Sequence, residues 1–480
     1  MLDTLYNGFA GLVGTLNDLM YSYVLIILLL AAGVYFTIRT AGVQVRLLGE
    51  SVRVVSEKSG YTKAVSAFEA LMVSTASRVG TGNIVGVANA IAIGGYGSVF
   101  WMWLIALVGG ATAFVESTLA QIYKKRSAKG GSYGGPSYYI QAALGSRSLG
   151  IIFAIALIAT YAVGFNMLAS FNLIDSMSSY HFYDTLVTAS GAHLLPIIGG
   201  ALLALLVGIC IFGNGNRIVK VTGVLVPVMG VLYILVSLVV IFMNIKIFPS
   251  VIANIFRDAF NFKAAFSGFA GSCIMWGIKR GLYSNEAGMG SAPNAAATAD
   301  VSHPAKQGLV QMLSVFIDTL LICSATAFMC LCSGVEPTKE AAGAAYVQAS
   351  MQQALGNFGP IFIAVSMSLF AFTTLIGNYY YCEGCLKYIL RRDPSKAGMT
   401  VFRLAATALV FVGAIVSAGL AWDTADMLQG TMVIINIPVI LILSNKGLAV
   451  LKDYMRQRKE GKNPEFHAAD IGITGTDYWN

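Results

Sequence analysis

Val79-Gly80-Thr81-Gly82-Asn83 sets two glycines and two polar side chains inside a stretch otherwise apolar enough for a membrane helix. Glycine removes side chains where a small ligand must approach the backbone. N–H groups freed at the start of the following half-helix, near Gly82 and Asn83, suit a carboxylate, with help from the helix dipole. Carbonyls freed at the end of the preceding half, those of Ala76 and Val79, suit a desolvated sodium ion. Such an ion needs hydroxyls from another helix, and Thr373 and Thr374 are the strongest candidates. The competing reading is structural: Gly82-x-x-x-Gly86 is itself a helix-packing motif, and membrane threonines commonly bond their own backbone. A dinucleotide loop is excluded, because the glycine spacing is off by one and no strand precedes it.

A second interruption lies within Gly268 to Gly290. Its segment Gly271-Ser272-Cys273-Ile274-Met275-Trp276-Gly277 offers backbone groups beside two bulky side chains that would limit substrate size, unless Trp276 simply packs or faces lipid. Matched breaks in two halves of an apolar chain point to a transporter's binding site. Charges inside spans need partners. Arg78, one residue before the first break, is expected to gate the cytoplasmic side by pairing with an acidic residue; Glu116, Asp318 and Glu383 lie inside later spans.

The elements that hold these residues follow from composition. Of 480 residues, 56% are hydrophobic and only 11% charged, against roughly 25% charged in a soluble domain. Uncharged runs of about 20 residues such as 19–38 recur along the chain, as bilayer-spanning helices require. About eleven spans are expected, near 19–38, 64–93 (broken), 97–123, 148–178, 194–212, 218–243, 265–287 (broken), 305–334, 358–390, 399–421 and 425–445. The net charge of +8 is spread over alternate loops, which speaks against nucleic acid and for positive-inside topology. That rule places the N-terminus outside, and on the cytoplasmic side the loops with Arg39 to Lys63, Lys124 to Arg147, Lys279 with Arg280, Lys387 to Lys396 and the tail 447–480. Asp423 and Asp426 fall on the opposite side. With the first span set aside, ten remain as two sets of five, 64–243 and 265–445, each opening on a broken helix. Five is odd, so the second set is inverted, and the whole of 1–446 forms one transmembrane domain.

No H-E-x-x-H occurs, the four histidines lack metal-ligand spacing, and Cys382-x-x-Cys385 reads as packing, so neither an enzyme nor a cofactor is expected. A non-transporting amino-acid sensor is the alternative class, though the tail is too short for a signalling domain.

At these residues the chain resembles the alanine or glycine:cation symporters, also called sodium:alanine symporters. The matching text is S-R-V-G-T-G-N-I-V-G-V-A-N-A-I-A-I-G-G from Ser77, F-W-M-W from Phe100, G-G-P-S-Y-Y-I from Gly134, F-I-D-T at Phe316 and R-G-L-Y-S-N-E-A-G-M-G-S-A-P from Arg280. The resemblance implies an all-α LeuT-type fold, a 5+5 inverted repeat with one extra N-terminal helix, in the plasma membrane. It implies sodium-coupled import of a small neutral amino acid, alanine first, with glycine, serine or glutamine open. V-G-x-G-N at Val79 also looks like the first-helix motif of neurotransmitter:sodium symporters. That likeness implies amides of Thr81 and Gly82 for the ligand carboxylate, and carbonyls of Ala76 and Val79 with Thr373 and Thr374 for sodium. The helix after G-G-P, with Phe165, Asn166 and Ala169, contributes further contacts. Ala169 stands where many relatives carry glutamine, and Asn378 where they often carry an aromatic.

Overall fold

A computed structural model describes residues 2–57, 64–127, 131–187, 193–213, 215–261 and 272–479. The described residues are overwhelmingly helical, with one pair of two-residue strands, Lys125–Arg126 against Ser132–Tyr133. Among them seven helices are long and apolar enough to cross a membrane, and Leu25–Arg39, Thr81–Gly94 and Leu195–Ile211 are shorter apolar helices. On Leu195–Ile211 and Gly215–Met243 large apolar side chains such as Leu202, Leu205, Val228 and Leu235 face outward. That is the surface a bilayer covers.

Gly97–Ile122 is the central post, packing against Pro304–Phe316, Cys273–Asn285 and Leu25–Arg39. Its buried run Gly109-Gly110-Ala111-Thr112-Ala113 lets neighbouring backbones come close. The first broken helix starts at Ala67, where Ser66 and Glu69 form a capping box: the Glu69 N–H donates to Ser66 Oγ (3.1 Å) and the Ser66 N–H to Glu69 Oε2 (2.8 Å). It runs to Arg78, becomes extended at Gly80, makes one 3₁₀ turn over Thr81–Asn83 and resumes as Val85–Gly94.

The second interruption falls at the far end of the expected stretch Gly268 to Gly290, and not at Gly271–Gly277. Cys273–Asn285 is unbroken helix, its end capped by Ser272 Oγ accepting the Met275 N–H (3.3 Å). The chain unwinds afterwards, at Glu286 (φ 56°), Gly288 (φ 88°) and Gly290 (φ 82°), before the single turn Pro293–Ala296. Gly271 lies outside the described residues. Ser272, Met275, Trp276 and Gly277 therefore stand roughly 15 Å along the helix from the break, at 1.5 Å per residue. Gly277 packs on the Ser98 carbonyl and Trp101.

Other expectations shift too. The N-terminal helix begins at Leu2, not 19, and continues through a π-helical segment, Met20–Val24, into Leu25–Arg39. Asp3, Asn17 and Asp18 had masked it as a loop. The last two long helices are Lys396–Gly413 and Ala418–Ile442, so Asp423 and Asp426 are helical, not in a loop. Lys279 Nζ lies 2.8 Å from Asp426 Oδ2, so these two charges share one face of the protein, and the charge count that separated them is wrong there. A buried ion pair neutralises a lysine that loop counting treats as a topology signal.

The segment after Ser444–Lys459 folds back over one face. Trp479 Nε1 donates to the Gln121 carbonyl (2.7 Å), and the Phe466 N–H to the Ser302 carbonyl (3.0 Å). Lys124, buried beside them, donates to the Ala299 carbonyl (2.9 Å) and sits 3.9 Å and 4.7 Å from the Tyr478 and Trp479 ring centres. Burial pushes its ammonium down to about 7, with Asp300 acting against the shift. Because the folded pKa lies below the unfolded value of 10.5, the unfolded chain binds more protons between the two, and this group's contribution to stability rises with pH across that window. Thermal unfolding in detergent micelles from pH 7 to 10 should show Lys124→Met with a flatter pH dependence than the parent; parallel curves would refute the shift.

Candidate substrate and ion site

The two interruptions approach each other at Arg78 and Glu286, and each is completed by side chains from other helices. At the first, the last carbonyls of a helix and the first N–H groups of the next have no partner within their own helix. Thr374 supplies one: its hydroxyl lies 3.2 Å from the Ala76 carbonyl and 3.5 Å from that of Val79. A Cβ on Gly80 would overlap that hydroxyl, so this approach requires glycine. Thr373 points elsewhere, donating to the Leu369 carbonyl of its own helix (2.9 Å) and lying 3.6 Å from Met229 Sδ. The expected threonine pair is, in geometry, a single threonine.

On the other side of the break the N–H groups of Thr81 and Gly82 open the 3₁₀ turn, while that of Asn83 is used within it, donating to the Gly80 carbonyl (3.1 Å). The Asn83 side chain is fully engaged as well. Its Oδ1 accepts the Gly80 N–H (2.8 Å), and its Nδ2 donates to Asp318 Oδ1 (2.6 Å) and Ser284 Oγ (2.8 Å). Ser284 and Thr319 donate to the other Asp318 oxygen (2.5 and 2.9 Å). Asn83 thus fastens the turn to the Ile317–Cys323 π-helical segment. Thr81 Oγ1 accepts from Asn172 Nδ2 (3.1 Å), and Asn172 Oδ1 is buried with no hydrogen-bond partner in the protein.

Phe165, Ala169 and Asn172 are spaced to share one face of their helix. The Phe165 ring meets Tyr283 edge-on at 4.8 Å, and Tyr283 lies so close over Gly82 that a Cβ there would overlap it. Ala169, 1% exposed, lies between Phe165 and Asn172 on that face. Asn166 does not face this region; its Oδ1 accepts from Asn378 Nδ2 (2.9 Å), and Asn378 Oδ1 accepts from Ser77 (2.7 Å).

Arg78 lies on the tail side of the break, fully buried. Its nearest acid is Glu286, with Nε 4.0 Å from Oε2, and its Nη1 donates to the Gln311 carbonyl (3.4 Å). Nε and Nη2 have no hydrogen-bond partner. Ser291 donates to Glu286 Oε2 (2.7 Å), so the left-handed Glu286 ties the second interruption to the first. Glu116 accepts the N–H groups of Gly288 (3.3 Å) and Gly290 (3.1 Å) and the Asn436 amide (2.9 Å). Glu383 is elsewhere, paired with Lys387 at 3.0 Å. Sequence reasoning missed Tyr283, Ser284, Glu286 and Asn172. The available signal was Gly288-Met289-Gly290, which repeats the spacing of Gly80-Thr81-Gly82.

Known proteins resemble this chain over nearly its whole length. Residues 7–468 match the model of the Sodium:alanine symporter family. The chain belongs to that family. The symporter is 44% identical to the amino-acid carrier protein AlsT of Bacillus subtilis, over 98% of each chain. It is 44% identical to the probable sodium/glutamine symporter GlnT of the same species, over 95% of this chain and 93% of that one. It is 36% identical to the sodium/alanine symporter AgcS of Methanococcus maripaludis, over 95% and 99%. The crystal structure of MhsT in complex with L-phenylalanine superposes with a TM-score of 0.54 at 14% identity, covering 86% of this chain and 94% of that one, a likeness of fold alone. The symporter is a multi-pass plasma-membrane transporter of the LeuT-like fold, not an enzyme.

Removing one member of a buried charge pair leaves the other uncompensated, at about 3 kcal/mol. Arg78→Met and Glu286→Gln should each lower unfolding stability by about that much, while the double substitution loses less than the sum. Strict additivity would show that the two do not act as a pair.

Proposed function

We propose that this symporter imports a small neutral amino acid, alanine first, together with sodium, by alternating access between the two interrupted helices. The observation that carries the reading is the Thr374 hydroxyl facing the Ala76 and Val79 carbonyls, immediately before the N–H groups of Thr81 and Gly82. A sodium ion beside those three oxygens fixes the first broken helix against Phe358–Leu390 and completes a carboxylate site one turn away. Asn172 Oδ1, buried without a partner, suits the substrate ammonium group, and Phe165, Tyr283 and Ala169 bound the side chain. Thr373, on the neighbouring position, contributes only after a rotamer change. We take the fold as the inverted 5+5 repeat with an extra N-terminal helix, about eleven spans in all, N-terminus outside and residues 447–480 in the cytoplasm.

On that orientation Arg280 and Asp426 form the outer gate, one turn above Tyr283. Asp426 accepts from Arg280 Nη1 (3.2 Å) and Nη2 (3.1 Å). Arg78 with Glu286 forms the inner one. Inward movement of one sodium charge adds about 2.3 kcal/mol per 100 mV of membrane potential. A larger substrate such as glutamine is the second reading, favoured by the short side chain at Ala169. Ser272, Met275, Trp276 and Gly277 belong to the outer approach in this scheme, not to the ligand's first contacts.

Labelled alanine, glycine, serine and glutamine offered to proteoliposomes test this directly. Uptake of at least one should require an inward sodium gradient and be abolished by potassium or choline replacement; sodium-independent uptake would remove the coupling. Thr374→Val should raise the sodium concentration for half-maximal uptake about tenfold, the equivalent of ~1.4 kcal/mol. Ala169→Gln should depress glutamine uptake more than alanine uptake.

A further inference from the structure

The N-terminal helix lies outside the ten-helix repeat, yet it touches the helix that carries the Arg280 partner. Asn17 Nδ2 donates to Asp423 Oδ1 (3.2 Å). Tyr21, 3% exposed, donates its hydroxyl to the backbone carbonyl of Asp426 (3.3 Å) and accepts from Gln429 Nε2 (2.7 Å). The Lys279 ammonium, which pairs with the Asp426 carboxylate at 2.8 Å, sits 4.7 Å from the Tyr21 ring centre. Met20 and Leu25 close on Gly430 of the same helix, tightly enough that a Cβ there would overlap both.

The local backbone explains how one stripe reaches so far. Residues four apart on an α-helix drift by about 40° per step, so Asn17, Tyr21 and Leu25 would fan away from a straight neighbour. The π-helical segment Met20–Val24 widens the turn and holds them in line. Segments of this kind are uncommon and gather at functional sites.

We propose that Tyr21 is a positioning residue of the outer gate: it holds the Asp426 peptide so that the carboxylate faces Arg280 and Lys279, making the N-terminal helix the brace of the closed state. This rests on the gate reading above. Asp426 alone faces two cations, and a one-residue rotation of its helix would swing the carboxylate by about 100° away from them. Tyr21 grips the backbone of that residue, and Gln429 grips Tyr21.

The test uses the full chain in proteoliposomes with sodium present, carrying Ala425→Cys, which is buried against Gly164 beside the gate. Labelling by a membrane-impermeant maleimide is read above the background of the seven native cysteines, all buried. Tyr21→Phe removes only the hydroxyl. It should raise the labelling rate at least threefold with little change in the melting temperature, and Asp426→Asn should raise the rate at least as much while lowering the melting temperature, as loss of a buried ion-pair partner does. Combined with Asp426→Asn, Tyr21→Phe should add nothing further. A parent-like rate in Tyr21→Phe, or an increase that persists undiminished in the Asp426→Asn background, overturns the role of Tyr21. A parent-like rate in Asp426→Asn overturns the gate itself, which is a separate result.

Discussion

Backbone that unwinds at membrane depth must find every hydrogen-bond partner inside the protein, and this constraint organises the molecule. The Gly80 N–H goes to Asn83, the Ala76 and Val79 carbonyls to Thr374, and the N–H groups of Gly288 and Gly290 to Glu116. None of these side chains is free to vary independently, because each sits on a helix that must also be placed to within a fraction of an ångström. The small residues of Gly97–Ile122 and the packing of Pro304–Phe316 against it serve that placement.

Charge follows the same logic. Glu116, Glu286 and Asp318 are all fully buried near the interruptions, with Arg78 the basic side chain among them. Buried carboxylates without enough positive charge are costly in hydrocarbon. Hydrogen bonds from neutral groups meet part of that cost here. Asp318, held by Asn83, Ser284 and Thr319, shows how closely neutral hydrogen bonds gather round such a group.

How much of this the sequence disclosed depended on whether a residue's role was local. Gly80 and Gly82 stood out because glycine doublets in an apolar helix have few uses. Thr373 and Thr374 could not be told apart by type, since adjacent helical positions point about 100° apart and only the neighbouring helix decides which one faces the break. Within Gly268 to Gly290 the break was assigned to Gly271–Gly277, because bulky Met275 and Trp276 drew attention from Gly288-Met289-Gly290, and Glu286 went unweighed as a partner for Arg78 although it lay inside the expected broken span. Lys279 and Arg280 misled for a related reason: charge counting assumes that a cation near a helix end is solvated. The start of the N-terminal helix was hidden because polar residues interrupt its apolar run, and one of them, Asn17, is met by Asp423 inside the protein.

Glu116 has a consequence for how a ligand can lie. The two interruptions are alike in glycine spacing, and a turn of free N–H groups at either would attract a carboxylate. One of them already holds a carboxylate, built into the chain on Gly97–Ile122. Under the proposed function, an amino acid entering between the two meets one anion-binding turn and not two equivalent ones, so that its head and tail are not interchangeable. Glu116 thus takes at the second turn the place that the proposed substrate carboxylate takes at the first, and in that scheme it is the chain itself that sets which way the cargo faces.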